Sequence, residues 1–185
     1  MEINDEQRSI LDGKKGDYLA LCMRWLVEWG EVMDARRLIK VDNTHALMPV
    51  PNLMARGASE ASMHKYMETL RKACAHRTAP WCYCTLHAAF VALDGLDITE
   101  NDPEQVRMQK ELAAMAAESG FIPTFTCAPY LVGNVPLKGE ICAWTESSAV
   151  VYANTILGAR NHPARHRKRH SGVFAWAGAG VWSLA

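Results

Sequence analysis

The chain has 185 residues, 49% apolar and 22% charged, with 20 Lys+Arg balanced by 20 Asp+Glu. That length supports one domain with a real core, and zero formal net charge argues against nucleic acid or an anionic membrane as a partner. There is no run of about 18 apolar residues for a membrane span. The polar start MEINDEQRS lacks the basic and apolar stretches of a signal peptide, so a cytoplasmic location is expected. In a reducing compartment the cysteines at 22, 74, 82, 84, 127 and 142 are expected as thiols, some in the core and one or more able to bind metal.

In chain order, Leu19, Cys22, Met23, Leu26 and Trp29 share one face and predict a helix over 17–29, ended by Gly30. Arg37–Val41 reads as a short strand, and Asp42-Asn-Thr-His45 as a polar turn. Ser59 is placed to cap a second helix, 59–74, and Trp81–Leu86 favours a strand. Asp102 as N-cap, Pro103 at N1, Gln105 in a capping box and Gly120 as stop signal predict a helix over 102–119. Phe121–Thr126 then reads as a strand leading into Cys127, and Ala128–Gly139 as a loop rich in Pro and Gly. Thr145 is placed to cap a last helix, 145–157, stopped by Gly158. Strands alternating with helices give an α/β fold.

Two stretches carry chemistry. Cys127 is expected at the carboxyl end of a strand, where open α/β sheets place ligands, and its thiolate can bind iron. A lone Cys without a CxxC partner is more often a buried structural thiol. The run Thr145-Glu-Ser-Ser148 fills the cap and first turn of the last helix, where free N–H groups and hydroxyls can hold an anion, or simply cap. Asn154 is a poor mid-helix residue, and Arg160 can clamp a carboxylate or interact with the helix end. Cys127 should lie within reach of that first turn.

Together these stretches, TCAPYLVGNVPLKGEICAWTESSAVVYANTILGAR at 126–160, resemble the catalytic (large) component of aconitase X. The opening EQRSILDGKKGDYLALCMRWLVEWGEVMDARRLIKV is similar to the start of that family. Thr44-His45 lies where the family has a Ser/Ala-His pair, and Cys84-Thr-Leu-His87 resembles its Thr-Thr-Leu-Asn segment, with His87 in place of Asn. The resemblance implies an aconitase-like fold of mixed α/β layers, here a partial domain. It implies a hydro-lyase, a carbon–oxygen lyase dehydrating a small hydroxy acid such as cis-3-hydroxy-L-proline or mevalonate 5-phosphate.

It further implies an iron–sulfur cluster with Cys127 as first ligand, and a small swivelling subunit or domain as partner. Glu146, Ser147 and Ser148 are the implied catalytic residues, and Thr44, His45, Thr85, Asn154 and Arg160 the substrate-binding ones. Cys82 and Cys84 are expected on opposite faces of their strand and hence as poor substitute ligands.

The resemblance fades after Arg160. No acidic residue occurs from Ser147 to Ala185, and HPARHRKRH at 162–170 precedes an apolar end. Residues 1–160 are therefore expected as the partial catalytic domain and 161–185 as an atypical basic and apolar tail. His162, His166 and His170 read as a solvated basic face before a zinc site. The chain on its own is expected to be incomplete and inactive. The alternative is a non-catalytic remnant binding a small anion or a partner subunit.

Overall fold

The computed structural model describes residues 1–46, 57–75, 82–87, 95, 97–144, 146–161 and 182–184. Helix α1, Asp5–Leu11, was not foreseen, although Asn4 and Gln7 spell its start: each side chain accepts a hydrogen bond from the other's backbone N–H at 2.9 Å. Helix α2, Asp17–Val32, runs through Gly30 for a further half turn instead of ending there. Ile10 of α1, Met23 and Leu26 of α2 and Leu38 of strand β1, Leu38–Lys40, form one apolar cluster.

Asn43, Thr44 and His45, expected in a turn, instead belong to strand β2, Asn43–Ala46, with all four residues buried. Helix α3, Glu60–Ala75, starts as expected at Ser59, whose hydroxyl accepts from Ser62 N–H. Strand β3, Tyr83–Leu86, follows, and then helix α4, Glu104–Glu118. The capping box expected at α4 does not form: Asp102 instead accepts from Thr99 N–H and Lys110 Nζ. Met63 and Met67 of α3 pack with Met108, Leu112 and Ala116 of α4 and with Leu86, and Arg71 makes a bidentate ion pair with Glu111 across the two helices.

The strand expected at 121–126 is reduced to one parallel bridge, Ile122 to Thr85. Pro123 has no N–H to continue a ladder. Strand β4, Ile141–Trp144, leads to helix α5, Ser147–Tyr152, which widens into a π turn over Ala153–Leu157 before strand β5, Arg160–Asn161. Gly158 ends the π turn at φ 67°. Thr145 lies outside the described residues, and the observed N-cap is Glu146.

The main sheet is parallel, in the order β3-β2-β4-β5, with Thr44 level with Cys84 on one side and Ala143 on the other. Parallel neighbours require crossovers, and α3, α4 and α5 lie in those connections. The connections after β2 and after β4 run to opposite sides of the sheet, so a topological switch point lies between these two strands. Strand β6, Trp182–Leu184, pairs antiparallel with β1 in a second, two-stranded sheet. The basic run and its three histidines lie outside the described residues.

Candidate active site at the carboxyl edge of the sheet

His87 follows the last residue of β3, and Glu146 lies two residues beyond the end of β4. Both therefore reach the carboxyl edge of the parallel sheet, beside the switch point, the usual ligand crevice of open α/β sheets. Cys127 joins them: one donor atom from each of His87, Cys127 and Glu146 lies within 4.8 Å of the other two. His87 Nε2 and Glu146 Oε2 are 2.9 Å apart, with the imidazole side chain 7% exposed and the carboxylate 28%. The other carboxylate oxygen, Oε1, accepts from Ser147 N–H at 3.0 Å. Cys127 is exposed, and its thiol is pushed up in pKa, first by partial burial and then by the negative charge of Glu146.

A line of buried polar side chains supports this cluster from inside the sheet. Trp144 Nε1–H donates to Asn43 Oδ1 at 2.8 Å, and Asn43 Nδ2–H donates to Asn134 Oδ1 at 2.6 Å. Asn134 Nδ2–H donates to Thr85 Oγ1 at 2.7 Å, and Thr85 Oγ1 is 2.8 Å from His45 Nδ1. His45 Nε2 is 2.9 Å from the carbonyl of Thr126. A carbonyl only accepts, so Nε2 carries the hydrogen. Burial, with the nearby His87 charge second, lowers the His45 pKa to about 4, so the ring is neutral at pH 7 and Nδ1 accepts from Thr85. The direction of every bond is then fixed, from an indole that can only donate to a carbonyl that can only accept.

That carbonyl belongs to the residue before Cys127. Phe125, just upstream, has φ 44°, a conformation costly for a bulky side chain and held here by the packing of its ring against the α3/α4 cluster. Thr126 Oγ1 accepts from Ala128 N–H at 3.0 Å, which tightens the turn at Cys127. Tyr130 stacks on Tyr152 of α5 with ring centroids 3.8 Å apart, tying the loop after Cys127 to the helix after Glu146.

The structure thus brings Cys127 and Glu146 together, with Ser147 and Ser148 exposed in the first turn of α5. Thr44, His45 and Thr85 lie fully buried beneath the cluster. Asn154 uses its side-chain amide on the backbone of Asn161, donating to its carbonyl at 2.9 Å and accepting its N–H at 2.7 Å. Arg160 is level with Ile141, at the amino end of β4 and hence the opposite end of that strand from Glu146. The reading missed His87 as a site residue, and Asn43 and Asn134 as its support. Asn134 lies in the loop rich in Pro and Gly, yet its side chain is fully buried.

Cys82 and Cys84 do not point to opposite faces: their sulfurs are 3.5 Å apart, because the side-chain period of an extended chain is two and residues i and i+2 return to the same face. Their hydrogen bond lowers the Cys82 pKa and raises that of Cys84. The pair lies towards the amino end of β3, away from His87. Burial pushes the Cys142 thiol up to about 12.

Known proteins share this sequence and this fold. A sequence profile described as the aconitase X first domain matches residues 1–175. The chain belongs to the aconitase X family. It is 33% identical over 167 residues to the phosphomevalonate dehydratase large subunit of Methanocaldococcus jannaschii, covering 88% of this chain and 38% of that protein. It is 31% identical over 170 residues to the cis-3-hydroxy-L-proline dehydratase of Hypocrea jecorina, covering 86% of this chain and 25% of that one. Among solved structures, the holo-form aconitase X of Thermococcus kodakaraensis superposes with a TM-score of 0.74 at 30% identity, over 100% of this chain and 42% of that chain. The aconitase-like α/β fold is thereby established as a partial domain. The chain spans well under half the length of the relatives it matches.

Proposed function

We propose that this chain supplies one wall of a hydro-lyase site that dehydrates a small hydroxy acid, such as cis-3-hydroxy-L-proline or mevalonate 5-phosphate. The observation carrying this is the convergence of Glu146, His87 and Cys127 at the carboxyl edge of the sheet. Dehydration takes a hydroxyl from one carbon and a proton from its neighbour, leaving a C=C bond and one water. Two groups are needed, one to hold the departing oxygen and one to handle the proton. Glu146 and His87, hydrogen-bonded at 2.9 Å, form a pair between which a proton can move.

In this reading Ser147 and Ser148 present hydroxyls to the substrate beside Glu146. Thr44, His45 and Thr85 act as positioning residues through Thr126 and Cys127. Asn154 shapes the turn before β5, and Arg160 receives an anionic group only if the substrate reaches past β4.

For the iron–sulfur cluster that the resemblance implies, this chain brings an incomplete ligand set among its described residues. Cys127 is the one thiol of the three-residue donor group, while Cys22, Cys84 and Cys142 are buried in other parts of the fold. Cys127 is proposed as a metal ligand on the strength of its neighbours.

A closing partner, a small swivelling subunit or domain, is supported by an apolar rim: Leu131 is 76% exposed and Leu137 70%, both in the loop after Cys127. No described helix is long and apolar enough to cross a membrane, and the proposed compartment is the cytoplasm. The proposed division into a catalytic part, 1–160, and an atypical tail, 161–185, rests on composition, since the family profile itself runs to 175.

The test is a chimera in which this chain replaces the matching segment of the Hypocrea jecorina dehydratase. The isolated chain should show no turnover of either substrate. The chimera should dehydrate one of them, and Glu146→Gln in it should lower kcat by about a hundredfold or more, the scale of a lost acid–base group. A folded chimera without product on either substrate would sink the reading.

A further inference from the structure

We infer that Cys82 and Cys84 form a reactive dithiol, a second site at the amino end of β3, which a small-molecule disulfide such as oxidised glutathione converts to an intrachain disulfide. Their sulfurs are already 3.5 Å apart on one face of the chain. Covalent geometry allows the bond. Two residues of extended chain span about 6.4–6.8 Å, inside the usual Cα separation across a disulfide of about 4.4–6.8 Å. An S–S bond of about 2.05 Å asks the sulfurs to close by about 1.5 Å. The ladder with β2 begins at Tyr83, so Cys82 can adjust ahead of the strand without unpairing it.

The two thiols are unequal. Cys84 is 2% exposed, whereas Cys82 is half-buried, so an incoming disulfide reaches Cys82 first. Cys84 Sγ lies 3.2 Å from the Cys82 carbonyl and also faces Cys82 Sγ, so its hydrogen is directed at its partner residue. That hydrogen bond favours a thiolate on Cys82; burial and the Asp42 carboxylate oppose it, and Lys40 aids it. Cys127 is exposed too, but burial and Glu146 push its thiol up. An accessible thiolate beside a shielded second thiol is the arrangement of an attacking and a resolving cysteine.

The exchange balances in two steps. The Cys82 thiolate attacks one sulfur of oxidised glutathione, forming a mixed disulfide and releasing one glutathione thiolate, which takes up a proton from water. Cys84 then gives its proton to water, and its sulfur attacks that of Cys82, releasing the second glutathione. Two protein thiols are oxidised and one glutathione disulfide is reduced to two thiols. Thr85, which receives Asn134 in the buried polar line, follows Cys84 directly, so the bond closes at the head of the strand that carries that line.

The full chain, reduced and then freed of reductant, is exposed to oxidised glutathione at neutral pH, alkylated and digested with trypsin. Both cysteines fall on one peptide, 78–107, which holds no other cysteine. In the wild type that peptide should lose two hydrogens and resist alkylation. In Cys84→Ser the mixed disulfide should instead accumulate at Cys82, about tenfold faster than at Cys127. In urea, where burial no longer ranks the cysteines, that preference should vanish. Circular dichroism checks that each variant is folded, and if Cys84→Ser misfolds, Cys84→Ala takes its place. A folded wild type that keeps both thiols of the peptide free overturns the inference. So does a folded Cys84 variant modified at Cys127 ahead of Cys82, or a preference for Cys82 that persists in urea. The readout is thiol chemistry, so it succeeds or fails independently of dehydratase turnover in the chimera.

Discussion

Lowering the pH tests the buried donor line through His45. In the unfolded chain this imidazole titrates near 6.5, whereas in the fold burial, with His87 second, depresses it to about 4 against the opposing pull of the Thr126 carbonyl and Glu146. Between those values the unfolded chain holds a proton that the folded chain refuses. Stability is therefore fully present above about pH 6.5 and is lost as the pH falls through about 4. That window is about 2.5 pH units wide, at about 1.4 kcal/mol per unit, so His45 alone removes about 3 kcal/mol. The structural cause is local: a proton on Nδ1 displaces the Thr85 hydroxyl hydrogen, whose other acceptor is the Thr44 carbonyl at 3.5 Å. Urea unfolding of wild type and His45→Gln at steps from pH 7.5 to 4 reads the effect. The variant should start about 1–3 kcal/mol less stable, because it leaves buried partners unsatisfied, but should lose about 3 kcal/mol less on acidification. Parallel stability–pH curves for the two proteins would refute the assignment of a neutral, buried His45.

Other substitutions probe the same scaffold. Asn134→Ala strands the Asn43 amide donor and removes the donor to Thr85, and should cost about 2–4 kcal/mol in urea unfolding; a cost below about 1 kcal/mol would show that the line is not structural. Gly158→Ala should cost about 1–2 kcal/mol, since φ is 67° and the new methyl meets Lys138 Cγ at 3.2 Å; an unchanged melting temperature would contradict the left-handed turn. Deleting residues 162–185 removes the β6 pairing from β1 but leaves Leu38 packed on α1 and α2, and should cost no more than about 1–2 kcal/mol. If the deleted protein fails to fold, the proposed tail is an integral element.

The fold was legible where apolar spacing declared itself. The stripe of α2, the Ser59 start of α3 and the Gly120 stop after α4 were all placed within a few residues. Strand β2 was not, for a physical reason. Its residues Asn43, Thr44 and His45 are polar, and a polar run between two elements reads as a turn. They are buried because each finds a partner: Asn43 binds Trp144 and Asn134, Thr44 Oγ1 donates to the Ala143 carbonyl at 3.0 Å, and His45 spans Thr85 and Thr126. Those partners lie 40 to 101 positions away in the chain, beyond the reach of any local pattern. The missed α1 is different, since Asn4 and Gln7 state a capping box in four residues.

The candidate site was half legible for the same reason. Cys127 and Glu146 were marked by ordered strings in the sequence, but His87 becomes a site residue only when β3 and β4 flank β2 in register. The polar interior of β2 then has a purpose that an apolar strand could not serve. An apolar core would bury more hydrocarbon, yet it could not fix the Thr126 carbonyl, and Phe125 at φ 44° would have less to hold it there. A fully satisfied polar line specifies one arrangement, because slipping β2 by one residue would break the bonds that Asn43 and His45 make to Trp144, Asn134, Thr85 and Thr126. The same line that hid the central strand from a reading of the sequence is therefore what sets Cys127 beside His87 and Glu146.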